Sequence, residues 1–275
     1  RMLSTFIIAL REGLEAALIV GILLAYLTKT HRFHLRKALW IGVALAVAMS
    51  LALGAILSFT SHELTPYSEE AFAGIMAVVA VALVTWMVFW MKRTARNMRN
   101  ELENKVDQAT GMGTLAMAST AFVAVAREGL ETALFIYANF RTVKSSFAPS
   151  IGLVLGLAAA IGLGFLIYRR TISFNVSKFL QITGVALIIV AAGVLAHGIG
   201  DLQEIGWLPG STALAWSIDS TLAPDSLLAG ILAGSIGFAT TTTWLQVGIW
   251  ALYLASIMSS YLAPTKKVLF STTHE

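Results

Sequence analysis

The sequence predicts an all-α, polytopic membrane protein with seven transmembrane helices. Of its 275 residues, 57% are hydrophobic and only 12% are charged, whereas a soluble domain carries about 25% charged residues. Apolar runs of roughly 20 residues, the length that crosses a bilayer, recur along the chain. We therefore expect one transmembrane domain over residues 1–275, embedded in a lipid bilayer, with no separate soluble domain.

Seven apolar runs are candidate membrane spans. They lie at about 4–27, 38–60, 71–91, 113–139, 151–168, 179–200 and 227–261. The first run is longer than the roughly 7–15 apolar residues of a signal peptide, and it contains charged residues. We therefore expect it to be a membrane span.

The distribution of basic residues predicts the orientation of these spans. Lys and Arg concentrate in the segments 28–37, 92–112 and 169–178 and in the C-terminal tail, whereas 61–70 and 201–226 contain neither. The segment 140–150, with two basic residues, departs from this pattern. The positive-inside rule then places the N-terminus outside and the C-terminus inside. Because the basic residues lie between spans, the net charge of +4 does not indicate a nucleic acid partner.

A pentapeptide, Arg-Glu-Gly-Leu-Glu, occurs twice inside the predicted spans. The first motif is at residues 11–15 and the second motif is at residues 127–131. Charged residues are costly in hydrocarbon, so their presence in a span indicates a binding site or pathway for an ion. Glu12 and Glu15 share one helix face, as do Glu128 and Glu131, because they are three residues apart.

The predicted orientation makes spans 1 and 4 antiparallel. Residues of about 1–91 and 113–200 then form two half-repeats of three spans with inverted topology, and a seventh helix at about 227–261 is added. Inverted repeats of transporters place the substrate site near the middle of the membrane, where the halves meet. Both motifs lie near this depth.

The residue types of the motifs indicate a cation site. Arg11 and Glu15 are four residues apart and can form an ion pair, as can Arg127 and Glu131. Four glutamates and two arginines sum to −2, which a dication neutralises. Carboxylate oxygens are hard ligands that suit iron, manganese, magnesium or calcium. A purely structural role for the pairs accounts less well for a duplicated motif with surplus negative charge.

Weaker signals lie near the predicted outer side. His197, Asp201 and Glu204 form an outer receiving site for a cation, or else a helix end with solvated acids. His197 and Asp201 share a face if the helix of span 6 continues that far. Residues 240–243 are four threonines within the seventh span, where hydroxyls usually bond to their own helix and less often line a pathway. Trp86, Trp90 and Trp207 are typical of membrane interfaces.

The two motifs, in spans 1 and 4 of a seven-span chain, resemble those of the oxidase-dependent iron transporters. This family includes fungal high-affinity iron permeases and bacterial Efe-type iron permeases, and the short loops and residues 201–204 favour the bacterial branch. The resemblance implies that Glu12, Glu15, Glu128 and Glu131 bind iron and that Arg11 and Arg127 are the motif arginines. It also implies a multi-pass location in the plasma membrane, for bacteria the inner membrane. The implied partners are an extracytoplasmic oxidase or peroxidase and an iron-binding protein.

We therefore expect an iron permease, not an enzyme, with Fe²⁺ or Fe³⁺ as its transported substrate and no organic cofactor. An inside-negative potential of 100 mV contributes roughly 4.6 kcal/mol to the movement of a dication. Protonation of the glutamates, or a movement of Arg11 or Arg127 onto the carboxylates, would release the ion. One alternative is a membrane-embedded di-iron oxidase, although the helices of soluble di-iron proteins carry a Glu-x-x-His motif, which is absent here. Others are a transporter of another divalent cation, such as lead or manganese, and a proton or sodium antiporter.

Overall fold

The computed structural model describes residues 2–63, 65–94, 97–141, 147–169, 175–219, 221, 222, 226, 228, 229, 232 and 236–263. Helices dominate these residues, and one pair of short strands accompanies them. The elements are α1 (Met2–Lys29), the 3-10 turn η1 (Phe33–Leu35), α2 (Arg36–Glu63), α3 (Pro66–Thr94), α4 (Met98–Met112), α5 (Thr114–Arg141), α6 (Phe147–Tyr168), α7 (Val176–Glu204), β1 (Leu214–Ser217), β2 (Thr241–Thr243) and α8 (Trp244–Leu262).

Five of the described helices, α2, α3, α6, α7 and α8, are long and apolar enough to cross a membrane. The prediction of an all-α membrane protein is therefore confirmed. The helices α1 and α5 have 28 residues each, but each carries the three charged residues of a motif near its middle. Their charge, and not their length, distinguishes them from the other five.

The two motif helices are antiparallel neighbours. Leu23, near the end of α1, shares a buried apolar cluster with Met117, near the start of α5. A second cluster holds Ile8, from the first half of α1, and Phe135, from the last part of α5. The charged motifs therefore lie between two apolar layers, one toward each end of the helix pair.

Each of the helices α1, α2 and α3 packs mainly against a helix from the second half of the chain. The most extensive contacts of α1 are with α6, those of α2 are with α5, and those of α3 are with α7. Glycines allow these close crossings. A Cβ atom on Gly13 would lie 2.8 Å from the Cβ of Ala160 on α6, and one on Gly129 would collide with Ser50 on α2. Each motif glycine thus lies where its helix crosses its main partner.

The segment 92–112, expected to be a loop between spans, contains the amphipathic helix α4. Leu102, Val106 and Ala109 are buried along one face of it. Its exposed face carries the ion pairs Arg99–Glu103 and Lys105–Glu101, at 3.0 and 3.1 Å. The sequence signal was present, since residues at spacings of three and four line one side of a helix, but it is weak in only 15 residues.

Hydrogen bonds hold α4 against the end of α1. The carboxylate of Asp107 accepts one from the Tyr26 hydroxyl at 2.7 Å and one from Arg32 Nη1 at 2.8 Å. The bond from Tyr26, followed by that from Arg32, keeps the pKa of Asp107 below its ordinary value. This tether joins α4 to the helix that carries the first motif.

The prediction of one continuous helix over 227–261 is wrong. Residues 237–243 are not helical, and α8 begins only at Trp244. Gly237 has a φ of 74°, a left-handed conformation that glycine adopts readily and that interrupts a helix. Thr241–Thr243 forms β2, which pairs with β1 in an antiparallel ladder, and the side chain of Thr243 caps α8 in a capping box with Gln246.

The helix α7 continues to Glu204, so residues 201–204 extend the helix of span 6. Their segment is joined to its neighbours by side chains. Gln203 is buried, its amide donates to the carbonyl of Pro209, and its Oε1 accepts from the hydroxyl of Thr243, both at 2.8 Å. Trp207 Nε1 donates to the Tyr67 hydroxyl at 2.7 Å. These bonds connect the end of α7 with the starts of α8 and α3.

The close crossing of α6 with α1 predicts the effect of a small substitution. A Cβ on Gly156 would lie 2.7 Å from both the Cβ of Ala9 and the carbonyl oxygen of Phe6. We expect Gly156→Ala to destabilise the detergent-solubilised protein by about 1–3 kcal/mol, the usual cost of overpacking. Gly162→Ala on the same helix is the control, because no atom lies within 4 Å of its added Cβ. Equal unfolding temperatures for the two variants would contradict this packing.

Candidate metal centre

The two motifs form one buried charged cluster in the middle of α1 and α5. Glu12 is 3% exposed, Glu15 is fully buried, Glu128 is 4% exposed and Glu131 is 8% exposed. One ligand oxygen from each of Glu12, Glu15 and Glu128 lies within 4.8 Å of the other two. Among the described residues, Glu131 lies outside this group of three although it belongs to the same motif as Glu128.

Each motif contains the same intrahelical ion pair. Arg11 Nε lies 3.0 Å from Glu15 Oε1, and Arg127 Nε lies 3.0 Å from Glu131 Oε1. These pairs neutralise two of the four carboxylates, so Glu12 and Glu128 supply the surplus charge of −2. Both of these side chains belong to the group of three, where a cation would meet them together.

Each of the four glutamates also keeps one unused oxygen. Within the described part of the chain, no hydrogen-bond partner reaches the buried Oε2 atoms of Glu12, Glu15, Glu128 and Glu131. Leaving a buried acceptor unsatisfied costs about 1–3 kcal/mol, and more for a charged group. A bound cation would satisfy several of these oxygens at once, and their hard character fits a divalent ion such as Fe²⁺.

The environments of the two motifs differ. Arg11 is 1% exposed, whereas Arg127 is 26% exposed. The guanidinium carbon of Arg127 lies 3.9 Å from the ring centroid of Trp90 and 5.0 Å from that of Trp86, within the range of cation–π attraction. Two identical pentapeptides therefore have different neighbours, one enclosed in the bundle and the other held by aromatic rings.

Sequence reasoning missed the role of the two tryptophans. It assigned Trp86 and Trp90 to a membrane interface, whereas the structure places both rings against Arg127. Their spacing of four residues, which puts them on one face of α3, was the available signal. That spacing alone does not show which cation the face meets.

The proposed outer receiving site is partly assembled. His197 Nε2 lies 3.9 Å from Asp201 Oδ1 on α7, so the helix does continue and the two residues share a face. Glu204 is exposed at the end of the same helix. Within the described residues, the three do not form a group of ligands close enough to hold a metal ion, and their role stays a prediction.

The threonines 240–243, for which lining of the pathway was the less favoured interpretation, serve the strand pair and the helix cap. The hydroxyl of Thr241 donates to Asp219 Oδ2 at 2.8 Å. Hydrogen bonds from Thr240 and Thr241 lower the pKa of Asp219, which lies in the segment between β1 and β2. The hydroxyls of Thr240 and Thr241 thus bond to Asp219, and that of Thr243 caps α8. All three hydroxyls have a structural role.

If the glutamates bind a cation, Glu12→Gln should have opposite effects on the stability of the protein without metal and of the protein with metal. Glu12→Gln removes one of the repelling carboxylates, so we expect its unfolding temperature without metal to equal or exceed that of the wild type. With anaerobic Fe²⁺ at 100-fold its Kd, the wild type should gain about 2.7 kcal/mol, and Glu12→Gln should gain almost nothing.

Glu103→Gln is the control for this measurement, because Glu103 pairs with Arg99 on the exposed face of α4. It should retain the full stabilisation by Fe²⁺. A wild-type protein whose unfolding temperature is unchanged by any divalent cation would contradict the site.

Comparison with known proteins identifies extensive similarity. The model of the "Iron permease FTR1 family" matches residues 2–265. The ferrous iron permease EfeU of Escherichia coli O6:H1 (strain CFT073) is 38% identical over 268 residues, which cover 96% of this chain and 97% of the relative. EfeU of Yersinia pestis is 36% identical over 268 residues, with 96% and 95% covered. No solved structure matches the chain.

The match extends over nearly the full length of the chain and of these relatives. The family and the relatives are named as permeases, so the chain is a transporter and not an enzyme. Together with the apolar helices, the match identifies a multi-pass membrane protein of the bacterial inner membrane.

Proposed function

This chain belongs to the iron permease FTR1 family, and from that premise we propose that it moves iron into the cytoplasm through the carboxylates of the two motifs. The observation that carries the proposal is the group of Glu12, Glu15 and Glu128, whose oxygens converge from two helices in a buried position. Glu131 completes the set of four, and its Oε2 is buried without a hydrogen-bond partner among the described residues.

The charge of the site favours Fe²⁺ over Fe³⁺. The two ion pairs leave a surplus of −2, which Fe²⁺ neutralises and Fe³⁺ would exceed by one. The relatives are named ferrous iron permeases, which agrees with this count. Transport of another divalent cation, such as lead or manganese, remains the alternative, because carboxylates alone do not separate these ions sharply.

The pattern of helix contacts between the two halves of the chain supports two inverted half-repeats, at about 1–91 and 113–200. If α1, α2 and α3 correspond to α5, α6 and α7, the contact of α1 with α6 corresponds to that of α5 with α2. The contact of α3 with α7 then corresponds to itself. This arrangement suits seven spans, with the N-terminus outside, the C-terminus inside and α8 as the added seventh span. In such a repeat the carboxylates would lie where the halves meet.

The membrane potential would supply the driving force. A dication that crosses 100 mV toward a negative interior gains roughly 4.6 kcal/mol. Four carboxylates hold such an ion firmly, so its release needs a competing charge. Arg127 is the better placed arginine, because it is partly exposed and lies against Trp90, whereas Arg11 is enclosed.

An extracytoplasmic oxidase or peroxidase and an iron-binding protein are the proposed partners. They would deliver iron to the outer side, near the end of α7, where His197, Asp201 and Glu204 lie. The acidic residues of this region would raise the local concentration of cations before they reach the motifs.

Iron uptake into proteoliposomes tests the proposed function. With an inside-negative potential, we expect the wild type to take up radiolabelled Fe²⁺, and Glu15→Gln and Glu131→Gln to reduce uptake at least tenfold, because each substitution removes a ligand and leaves an arginine unpaired. Glu103→Gln should transport at the wild-type rate. Manganese and lead are added as competitors, and a proton flux without iron would favour an antiporter instead.

The role of the arginines is tested by release. If Arg127 displaces the ion, Arg127→Gln should retain Fe²⁺ binding at equilibrium but slow its release into the vesicle at least tenfold. Arg11→Gln, at the enclosed position, should slow release less. Unchanged release by both variants in a preloaded single-turnover assay would contradict this part of the mechanism.

A further inference from the structure

A cavity of about 440 Å³ lies beside the second motif and is named here the inner cavity. Its wall at the motif includes Arg127 and Glu128 of α5. Its far part includes the α4 residues Glu101, Lys105 and Gln108, which are exposed. The cavity therefore extends from the buried carboxylates to a polar helix surface.

The inner cavity reaches the cation site through Glu128. This side chain is 4% exposed and lines the cavity, and no described residue reaches its Oε2 with a hydrogen bond. One oxygen of the same carboxylate lies within 4.8 Å of ligand oxygens of Glu12 and Glu15. An ion held by the three glutamates would thus border the cavity.

Equivalent positions of the two motif helices differ in their access to the cavity. Thr120 precedes the arginine of the second motif by seven residues, and Ser4 precedes that of the first motif by seven. Thr120 lines the inner cavity, whereas Ser4 is fully buried. Because α1 and α5 are antiparallel, these equivalent positions lie on opposite sides of the carboxylates.

We propose that the inner cavity is the exit passage of the transported cation, an inference that rests on the proposed function. Ser119 and Thr120 line the passage between Glu128 and the surface, and their hydroxyl oxygens are suitable transient ligands for a hard cation. At the mouth, Glu101 and Lys105 form an ion pair at 3.1 Å in which both side chains are about half exposed. The ion leaves past these polar side chains toward the side on which α4 lies.

Single cysteines test the passage directly, since the natural chain contains none. Ser119→Cys places a thiol in the cavity, and Ala124→Cys is a second cavity position on α5 in case the first variant folds poorly. The matched control is Ser256→Cys on α8, an exposed serine outside the cavity lining. Ser119 and Ser256 lie about 8–9 Å from the near ends of their helices.

The ends of these two helices lie on the same side of the molecule. Lys92, near the end of α3, donates to the carbonyl of Ala263 after α8 at 2.8 Å, and Trp90 on α3 lines the cavity together with Ala116 near the start of α5. A reagent added on the α4 side therefore approaches both cysteines from the same direction and at similar depth.

A positively charged, water-soluble thiosulfonate is applied to inside-out vesicles. We expect it to modify Ser119→Cys at least tenfold faster than Ser256→Cys, and we expect Fe²⁺ to slow the modification. Modified protein should take up iron at less than a tenth of the unmodified rate. Modification by a lipid-soluble maleimide alone would show a gap that faces lipid and would overturn the passage, as would full modification without loss of uptake.

The outcomes separate this inference from the proposed function. If the cavity is not the passage, iron uptake by unmodified protein stays intact while the cysteines are unreactive or their modification has no effect. If the chain does not carry iron, uptake is absent in the wild type, although the water-soluble reagent still modifies Ser119→Cys.

Discussion

Buried charge in the middle of an apolar helix pair is the constraint on which the rest of the structure depends. Arg11, Glu12 and Glu15 are almost completely enclosed, and isolated charges in such surroundings are strongly disfavoured. The two intrahelical pairs remove part of the cost. A cation shared by Glu12, Glu15 and Glu128 would balance the remaining negative charge, while the crossings at Gly13 and Gly129 hold the two motif helices against α6 and α2.

The close crossings in turn determine the helix arrangement. Because each motif glycine faces the main partner of its helix, α1 is committed to α6 and α5 to α2. The remaining contact between the two motif helices carries the carboxylates. Apolar clusters on both sides of this contact separate it from the helix ends, which keeps the local dielectric low and strengthens any interaction with a bound ion.

Much of this arrangement is predictable from the sequence, because a duplicated charged motif in apolar runs has few stable placements. The all-α membrane class and the family follow from it. The break at residues 237–243 is harder to predict, since Gly237 adopts its left-handed conformation where the chain packs against α7, and apolar composition alone favours a continuous helix. The contact of Arg127 with Trp90 depends on how closely α3 approaches α5, and the distance between these helices is not predictable from the sequence pattern. Likewise, Glu15 and Glu131 occupy the same position in the two motifs, and only the crossing geometry leaves Glu131 outside the group of three.

The tether of Asp107 has a mechanical consequence. Tyr26, which donates to it, lies fourteen residues beyond Glu12 on the same helix, a distance of about 21 Å along the axis. A continuous helix is stiff over this length, so α1 acts as a lever between the proposed cation ligands and the helix α4. A displacement of α4 must either break the bonds from Tyr26 and Arg32 or tilt α1 with it, and a tilt of α1 moves Glu12 and Glu15 relative to Glu128. A movement of α4 away from the bundle would therefore also move the proposed ligands Glu12 and Glu15, because one rigid helix joins the two places.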